Sequence, residues 1–313
     1  MSAEEAVASW LERRSFRAGR FPLGDLLARK RASVSAVLPA RNVEATIGGV
    51  LAALTPLRDA GLLDELVVVD GASRDATVRI AEEAGAAVLQ ESRLMPEHGP
   101  ALGKGDAMWR GLAATSGDVV LFLDTDTARM SPCYALGLVG PLLADDGVAL
   151  VKGAFRRPFQ AGGESIADEG GRVTELVARP LLNLLVPELA GFRQPLAGEL
   201  AARRSLLEAI PFPVGYGIEI GMLLDAHRRV GLDGLAQSDL GTRHNPHQPL
   251  RELSAMAYAV LVTALRRTLG EEALGELAPE ALGMLRDQRM EVREIRLAER
   301  PPLAGLRRPP EAG

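Results

Sequence analysis

The feature that most constrains this chain is a rhythm. Short apolar runs, each cut off by proline, glycine or aspartate, alternate with stretches of helical spacing through the first half of its 313 residues. Val34 to Leu38 ends at Pro39, Leu66 to Val69 ends at Asp70-Gly71, and Val119 to Leu123 runs into Asp124-Thr125-Asp126. Apolar runs this short, without polar alternation, are strands buried on both faces, as in parallel sheets. Between the first two, Ile47, Val50, Leu51 and Leu54 keep helical spacing. Ser73 stands as an N-cap before a helix from Asp75 to Ala84, and Gly85 closes that helix ahead of a third strand, Ala87 to Leu89. A helix from Lys104 to Ala114 precedes the strand at 119–123, and Val148 to Val151 reads as a further strand. The order is β-α-β-α-β, so right-handed crossovers build a parallel sheet whose ligands gather at the carboxyl ends of the strands. The fold class is therefore α/β.

Beyond Val151 the pattern changes to longer helical stretches joined by loops rich in glycine and proline. Helices are expected over Gly170 to Leu185, with an interruption at Pro180, and over Ile218 to Val230, Arg251 to Leu269 and Pro279 to Leu297. From Glu299 the chain carries prolines and few large apolar residues, the composition of a loosely ordered tail.

A formal charge of -5 leaves no basic excess to neutralise a phosphate backbone, which argues against a nucleic-acid partner. The lone Cys133 excludes an internal disulfide and a cysteine zinc site, and is expected to be a small buried residue in a reducing compartment. Acids occupy the N-terminus where a signal peptide needs cations, and the longest apolar stretch, Ala255 to Leu265, is too short to span a bilayer. A cytoplasmic protein without a membrane partner is the expectation.

Several segments carry chemistry. Asp124-Thr125-Asp126 puts two carboxylates directly after a buried strand, where they can face Mg²⁺ or Mn²⁺, hard ions that take oxygen ligands and bridge to phosphates. Gly99 to Gly105 approaches a P-loop, but is one residue short between glycines and has Gly105 where a magnesium-binding Ser or Thr is needed. Gly215-Tyr216-Gly217 with Gly221 approaches a dinucleotide fingerprint, yet the spacing is wrong and Pro211-Phe212-Pro213 makes a poor central strand before it. An NAD-dependent oxidoreductase stays as an alternative, as does a non-catalytic nucleotide-sugar-binding protein. Lys104 opens a helix between two glycines, so a cation and free backbone N–H groups share one helix N-terminus, a natural diphosphate site. In Gly170-Gly171-Arg172-Val173-Thr174, glycines admit close backbone approach, Arg172 can grip an anion with two hydrogen bonds, and Thr174 offers a hydroxyl. Glu219 can bond sugar hydroxyls or serve as a plain surface acid. The loop Arg243-His244-Asn245-Pro246-His247 gathers two of the four histidines and can complete a metal site begun by Asp126, histidine suiting manganese better than magnesium.

Taken together, LPARNVEATIG, ELVVVDGASRDAT, GKGDAMWRGLAATSGD, FLDTDT, GRVTELVARPLL, QPLAGE and PFPVGYGIEIG resemble the retaining glycosyltransferases of the glucosyl-3-phosphoglycerate synthase and mannosyl-3-phosphoglycerate synthase type. The resemblance implies a GT-A fold, a Rossmann-like nucleotide-binding sheet with a mainly helical acceptor lobe. It also implies a homodimer, a Mg²⁺ or Mn²⁺ cofactor, GDP-mannose or UDP-glucose as donor, and 3-phosphoglycerate as acceptor. By position it places Pro39, Ala40, Gly71, Lys104 and Asp124 at the nucleotide and Asp126 at the metal. Gly171, Arg172, Thr174 and Tyr216 fall at the acceptor, and Glu219 at the sugar. The histidine loop departs from the glucosyl pattern by a shift, so His244 and His247 both remain candidate ligands; His244, which follows the matching Arg243, is preferred. No protein base is implied, since Lys104 and the metal stabilise the leaving group. The expected division is an N-terminal helical extension at 1–32, a nucleotide-sugar-binding domain at 33–152, an acceptor-binding helical lobe at 153–298 and a flexible tail at 299–313.

Overall fold

The computed structural model describes residues 2–161, 164–166, 171–243, 250–274 and 280–306. Helix α1 (Ala3–Arg14) opens with a capping box between Ser2 and Glu5 and runs into β1 (Ser15–Arg17), with α2 (Leu23–Arg29) following. The expected alternation then appears: β2 (Val34–Ala40), α3 (Ile47–Asp59), β3 (Glu65–Asp70), α4 (Thr77–Glu83), β4 (Ala87–Gln90), α5 (Lys104–Ala113), β5 (Val119–Phe122), α6 (Pro132–Ala144) and β6 (Leu150–Arg156). The strands β7 (Phe159–Ala161) and β8 (Glu164–Ile166) pair with each other. A π-helical turn (Thr174–Ala178) leads into α7 (Arg179–Leu185). Then come β9 (Leu200–Arg203), α8 (Arg204–Glu208), β10 (Phe212–Pro213), α9 (Ile218–Val230), β11 (Leu235–Thr242) and α10 (Leu253–Leu269).

One eight-stranded sheet runs β1-β11-β6-β9-β5-β2-β3-β4. All its pairings are parallel except those of β9, which lies antiparallel between β5 and β6. Alternate residues feed opposite faces. Val34, Ala36 and Leu38 of β2 join the layer that holds α2, α3 and α6. Val37 joins Val120 and Phe122 in the layer built with α5, α7, α9 and α10. Apolar layers on both faces explain why these strands read as unbroken runs. Trp10, wholly buried, anchors α1 under the second layer by donating from Nε1 to the Leu235 carbonyl at 2.8 Å.

Where described, the helix expected from Pro279 to Leu297 is instead an antiparallel hairpin, β12 (Ala281–Arg286) and β13 (Arg289–Glu294). Asp287 and Gln288 form its two-residue turn with φ of 45° and 64°, the doubly left-handed turn that matches strand twist. The chain also stays packed past residue 299. Strand β14 (Glu299–Arg300) pairs with β10, Arg300 is buried, and Leu303 is in the core. Cys133, expected to be buried, is exposed, because it sits in the first turn of α6, where Ser131 caps the helix.

Candidate functional site

The carboxyl ends of β2, β3 and β4 open into a cleft of about 440 Å³ whose walls include Pro39, Ala40, Gly71, Glu91 and Lys104. Backbone bonds fix its rim: the Gly71 N–H donates to the Ala40 carbonyl at 2.8 Å, and the Thr125 hydroxyl to the Pro39 carbonyl at 2.7 Å. Thr125 is thus turned into the protein, while Asp124 and Asp126, one residue either side, both reach Arg243.

Lys104 is the first residue of α5, and the Gly105 N–H behind it is tied to the Val214 carbonyl at 3.1 Å. Its ammonium reaches Asp124 Oδ1 at 2.5 Å and Glu219 Oε1 at 2.8 Å, joining β5, α5 and the first turn of α9. Burial opposes the Lys104 charge, but Asp124 and Glu219 outweigh it and push its pKa up. Burial likewise opposes ionisation of Asp124, yet Lys104 and Arg243 hold its carboxyl well below the usual carboxylate range. Lys104 and Asp124 therefore form a charged pair at neutral pH.

Arg243, at the end of β11, points one nitrogen at both acidic residues: Nη2 lies 3.2 Å from Asp124 Oδ2 and 3.0 Å from Asp126 Oδ1. Its other end pairs with Glu199, which is wholly buried. Burial pushes the Glu199 carboxyl up against the pull of Arg243. Lys152, also buried, donates to the Ala197 carbonyl at 2.9 Å, and burial pushes its ammonium down to about 8. The two aspartates converge on a single cationic nitrogen, so their oxygens already face one point. That is the donor set for an ion that takes one or two carboxylates and completes its shell with phosphate and water. Among the described residues, no group of three or more His, Cys, Asp or Glu side chains gathers for a metal. His244, Asn245 and His247 lie outside the described residues.

Gly171 takes φ +80°, a left-handed conformation suited to glycine, at the start of the helix that carries Arg172 and Thr174. A side chain there would meet Arg157, the Thr174 hydroxyl and Gln194 at 3.5 to 3.8 Å. Arg157 stacks over the Phe155 ring at 5.0 Å, and Arg243 lies over the same ring at 5.4 Å. Burial and the neighbouring Arg243 push the Arg157 pKa down. Two guanidinium groups thus share one aromatic platform between Asp124 and Gly171. Tyr216, about half exposed at 53%, lies on the turn that leads into Glu219.

The structure therefore brings together Lys104, Asp124, Asp126, Glu219 and Arg243, with Pro39, Ala40 and Gly71 along the same cleft and Gly171 and Thr174 beside Arg157. Arg157, Lys152, Gly198, Glu199 and Glu91 belong to the site region and were not singled out from sequence. Glu199 and Gly198 lie within QPLAGE, a segment recognised only as a whole, and Arg157 within a pair of arginines that follows an apolar strand. The dinucleotide alternative fails on context: β10 before Gly215 is a two-residue strand paired with β14 outside the main sheet.

A mostly parallel sheet with this cation and carboxylate nest at its carboxyl edge defines a nucleotide-sugar transferase of GT-A type. Residues 35–190 match the model of Glycosyl transferase family 2. The chain is 46% identical over 300 residues to the glucosyl-3-phosphoglycerate synthase of Mycolicibacterium smegmatis, covering 95% of this chain and 98% of that one. The crystal structure of mannosyl-3-phosphoglycerate synthase from Rubrobacter xylanophilus superposes with a TM-score of 0.85 at 45% identity, covering 96% of this chain and 100% of that one. Glucosyl-3-phosphoglycerate synthase from Mycobacterium tuberculosis, solved with Mn²⁺, UDP-glucose and phosphoglyceric acid, gives 0.81 at 43% identity over 92% of this chain and 96% of that one. The chain belongs to the family of glucosyl- and mannosyl-3-phosphoglycerate synthases, within glycosyl transferase family 2.

Proposed function

We infer that the protein is a metal-dependent retaining hexosyltransferase. It moves a hexose from GDP-mannose or UDP-glucose to the 2-hydroxyl of 3-phosphoglycerate, giving mannosyl- or glucosyl-3-phosphoglycerate. The observation that carries this reading is the Lys104–Asp124–Glu219 nest beside the Arg243–Asp126 pair, with Gly171, Arg172 and Thr174 close by through Arg157. The reading assigns Pro39, Ala40, Gly71, Lys104 and Asp124 to the nucleotide, Gly171, Arg172, Thr174 and Tyr216 to the acceptor, and Glu219 to the sugar. Asp126 holds the metal with His244, His247 being the other candidate.

A bound Mg²⁺ or Mn²⁺ supplies a Lewis acid for the leaving diphosphate. Lys104, whose ammonium sits beside Asp124 at the head of α5, carries the second share of that neutralisation. Arg172 and Arg157 orient the acceptor by its phosphate and carboxylate. The bond from the sugar's anomeric carbon to the diphosphate breaks with its electron pair leaving on the diphosphate. The acceptor 2-hydroxyl bonds to the same face of that carbon and passes its proton to a leaving phosphate oxygen. Glu219 is occupied by Lys104 at 2.8 Å, which suits a sugar ligand and not a protein nucleophile.

Incubation with GDP-mannose and UDP-glucose in turn, plus 3-phosphoglycerate and Mg²⁺, followed by mass spectrometry, tests the reading. A hexosylated phosphoglycerate is expected, and intact substrates with either nucleotide sugar would overturn it. The same reading makes the enzyme cytoplasmic, because both substrates are phosphorylated intracellular metabolites, and the family resemblance makes it a homodimer. The hairpin side chains Leu285, Met290 and Val292 are 68 to 70% exposed and offer an apolar face for a second copy. No helix among the described residues is long and apolar enough to cross a membrane. Sedimentation velocity tests the dimer.

A further inference from the structure

The far end of the donor cleft holds a carboxyl group that the transfer chemistry does not use. Glu91 follows β4, is 5% exposed, and lines the cleft together with Arg41, Gly71, Ala72 and Ser92. Its Oε1 is buried without a hydrogen-bond partner among the described residues, and its Oε2 lies 3.3 Å from where a side chain on Gly71 would begin. Of the guanidinium groups nearby, Arg110 and Arg300 are committed elsewhere, and Arg41 lines the cleft beside Glu91. Arg110 donates to Asp106 and to the carbonyls of Leu94 and Gly99, and Arg300 to Asp106 and to the carbonyls of His98 and Pro100. Burial and the Asp106 charge push the Glu91 carboxyl up to about 7. A carboxylate oxygen that stays buried and unanswered in the free protein costs stability unless a ligand supplies the missing N–H group.

The sheet order says which part of the ligand arrives there. The diphosphate is held at β5 by Lys104 and Asp124, and β4 lies three strands further out, roughly 14 Å at sheet spacing. In between, the ends of β2 and β3 contribute the slim residues Pro39, Ala40, Gly71 and Ala72, with Arg41 beside them, which leave a slot for a flat ring. The base of the nucleotide therefore ends at Glu91.

Bases differ in what they offer a carboxylate. Guanine presents N1–H and N2–H₂ side by side, two donors at the spacing of the two carboxylate oxygens. Uracil presents one N–H between two carbonyl oxygens, whose lone pairs face the carboxylate unfavourably. Adenine offers a single amino group beside a ring acceptor. Guanine's neighbouring O6 needs a hydrogen-bond donor, and Arg41 lines the same pocket.

We propose that Glu91 reads the base of the sugar donor, accepting from N1–H and N2–H₂ of guanine, so that this enzyme selects a guanosine diphosphate sugar over a uridine one. The proposal rests on the nucleotide-sugar reading above and is tested separately from it. Binding of GDP, IDP and UDP is measured by calorimetry with Mn²⁺ for the wild type, Glu91→Gln and Glu91→Ala, while product formation from GDP-mannose or UDP-glucose with 3-phosphoglycerate reports the reaction itself. GDP is expected to bind roughly tenfold to a hundredfold more tightly than UDP, the range for charge-assisted hydrogen bonds. IDP, which lacks the N2 amino group, should lose much of that advantage. In both variants the GDP–IDP difference should collapse, with UDP binding held or improved, since the carboxylate that repels the uracil carbonyls is gone. A wild type that prefers UDP, or variants that weaken GDP, IDP and UDP equally, would overturn the assignment to guanine even with product formed. Absence of product from every nucleotide sugar would instead defeat the transferase reading. Thermal melting identifies a variant that fails to fold, and the GDP–IDP difference in the wild type then decides alone.

Discussion

Gly198→Ala should disable the enzyme while leaving it folded. A methyl carbon at Gly198 would stand 2.3 Å from Lys104 Nζ and 2.4 and 2.6 Å from the two Asp124 carboxylate oxygens, inside the ion pair those groups form at 2.5 Å. Ordinary van der Waals contact needs roughly 3.5 Å or more, so both charged ends must retreat by about 1 Å. A shift of that size in reacting groups costs on the order of a hundredfold in rate. One charge-assisted hydrogen bond lost between Lys104 and the diphosphate accounts for about 1.5 to 3 kcal/mol, or roughly tenfold to a hundredfold in affinity.

The atoms that must yield are the ends of flexible side chains, so the backbone of the loop before β9 can stay where it is and the melting temperature should move by only a few degrees. Gly105→Ala is the contrasting case. There the new carbon would fall 1.9 Å from the Pro213 carbonyl oxygen, which is backbone, and unfolding is expected before any effect on binding can be read. Steady-state kinetics with both substrates, nucleotide titration calorimetry and melting curves separate the two. Wild-type kcat/KM in a well-folded Gly198→Ala would show that the Lys104–Asp124 geometry is not what the reaction depends on.

Asp126→Ala should abolish metal-dependent turnover with little change in melting, since its side chain is 62% exposed and serves no core; activity retained at saturating Mg²⁺ or Mn²⁺ would contradict this. Separate replacement of His244 and His247 should give one strong and one mild loss, read as the concentration of Mn²⁺ needed for half-maximal rate. Arg172→Ala should raise the KM for 3-phosphoglycerate by roughly tenfold to a hundredfold and leave that for the sugar donor nearly unchanged, whereas a defect confined to the donor would place Arg172 at the wrong end. Glu65 offers a pH test of the fold: burial opposes its ionisation, but bonds from Ser35, Ser116 and Gly117 outweigh that and hold it below the ordinary 4.5. Its contribution is present above that ordinary value and lost as pH falls through the lowered folded value, so denaturant unfolding should show Glu65→Gln costing more stability at pH 7 than at pH 3. An equal cost at both would refute it.

The strands that make the cleft were legible because each is buried on both faces and stops at a residue able to face ligand, as Val119–Phe122 does before Asp124. The hairpin at 281–294 was not, because Leu282, Leu285, Val292 and Ile295 also suit helical spacing and the Asp287-Gln288 turn lacks glycine. The site's hidden members share a different cause. Glu199 stands just before β9, and only the antiparallel insertion of β9 between β5 and β6 sets it near Arg243 and Asp124. A run of apolar residues announces a strand but not its neighbours, so no spacing along the chain could predict that pair. Glu91 is the sharper case. Following a short, half-buried strand, its acid reads as solvated surface. It acquires meaning only when β4 falls at the end of the sheet beside β3, which places its carboxyl against Gly71. The residues proposed for the diphosphate and the acceptor lie in stretches that signal themselves, whereas the proposed base-reading residue depends on strand order, so on this reading choice of nucleotide can change at the sheet edge without disturbing the Lys104–Asp124–Glu219 nest.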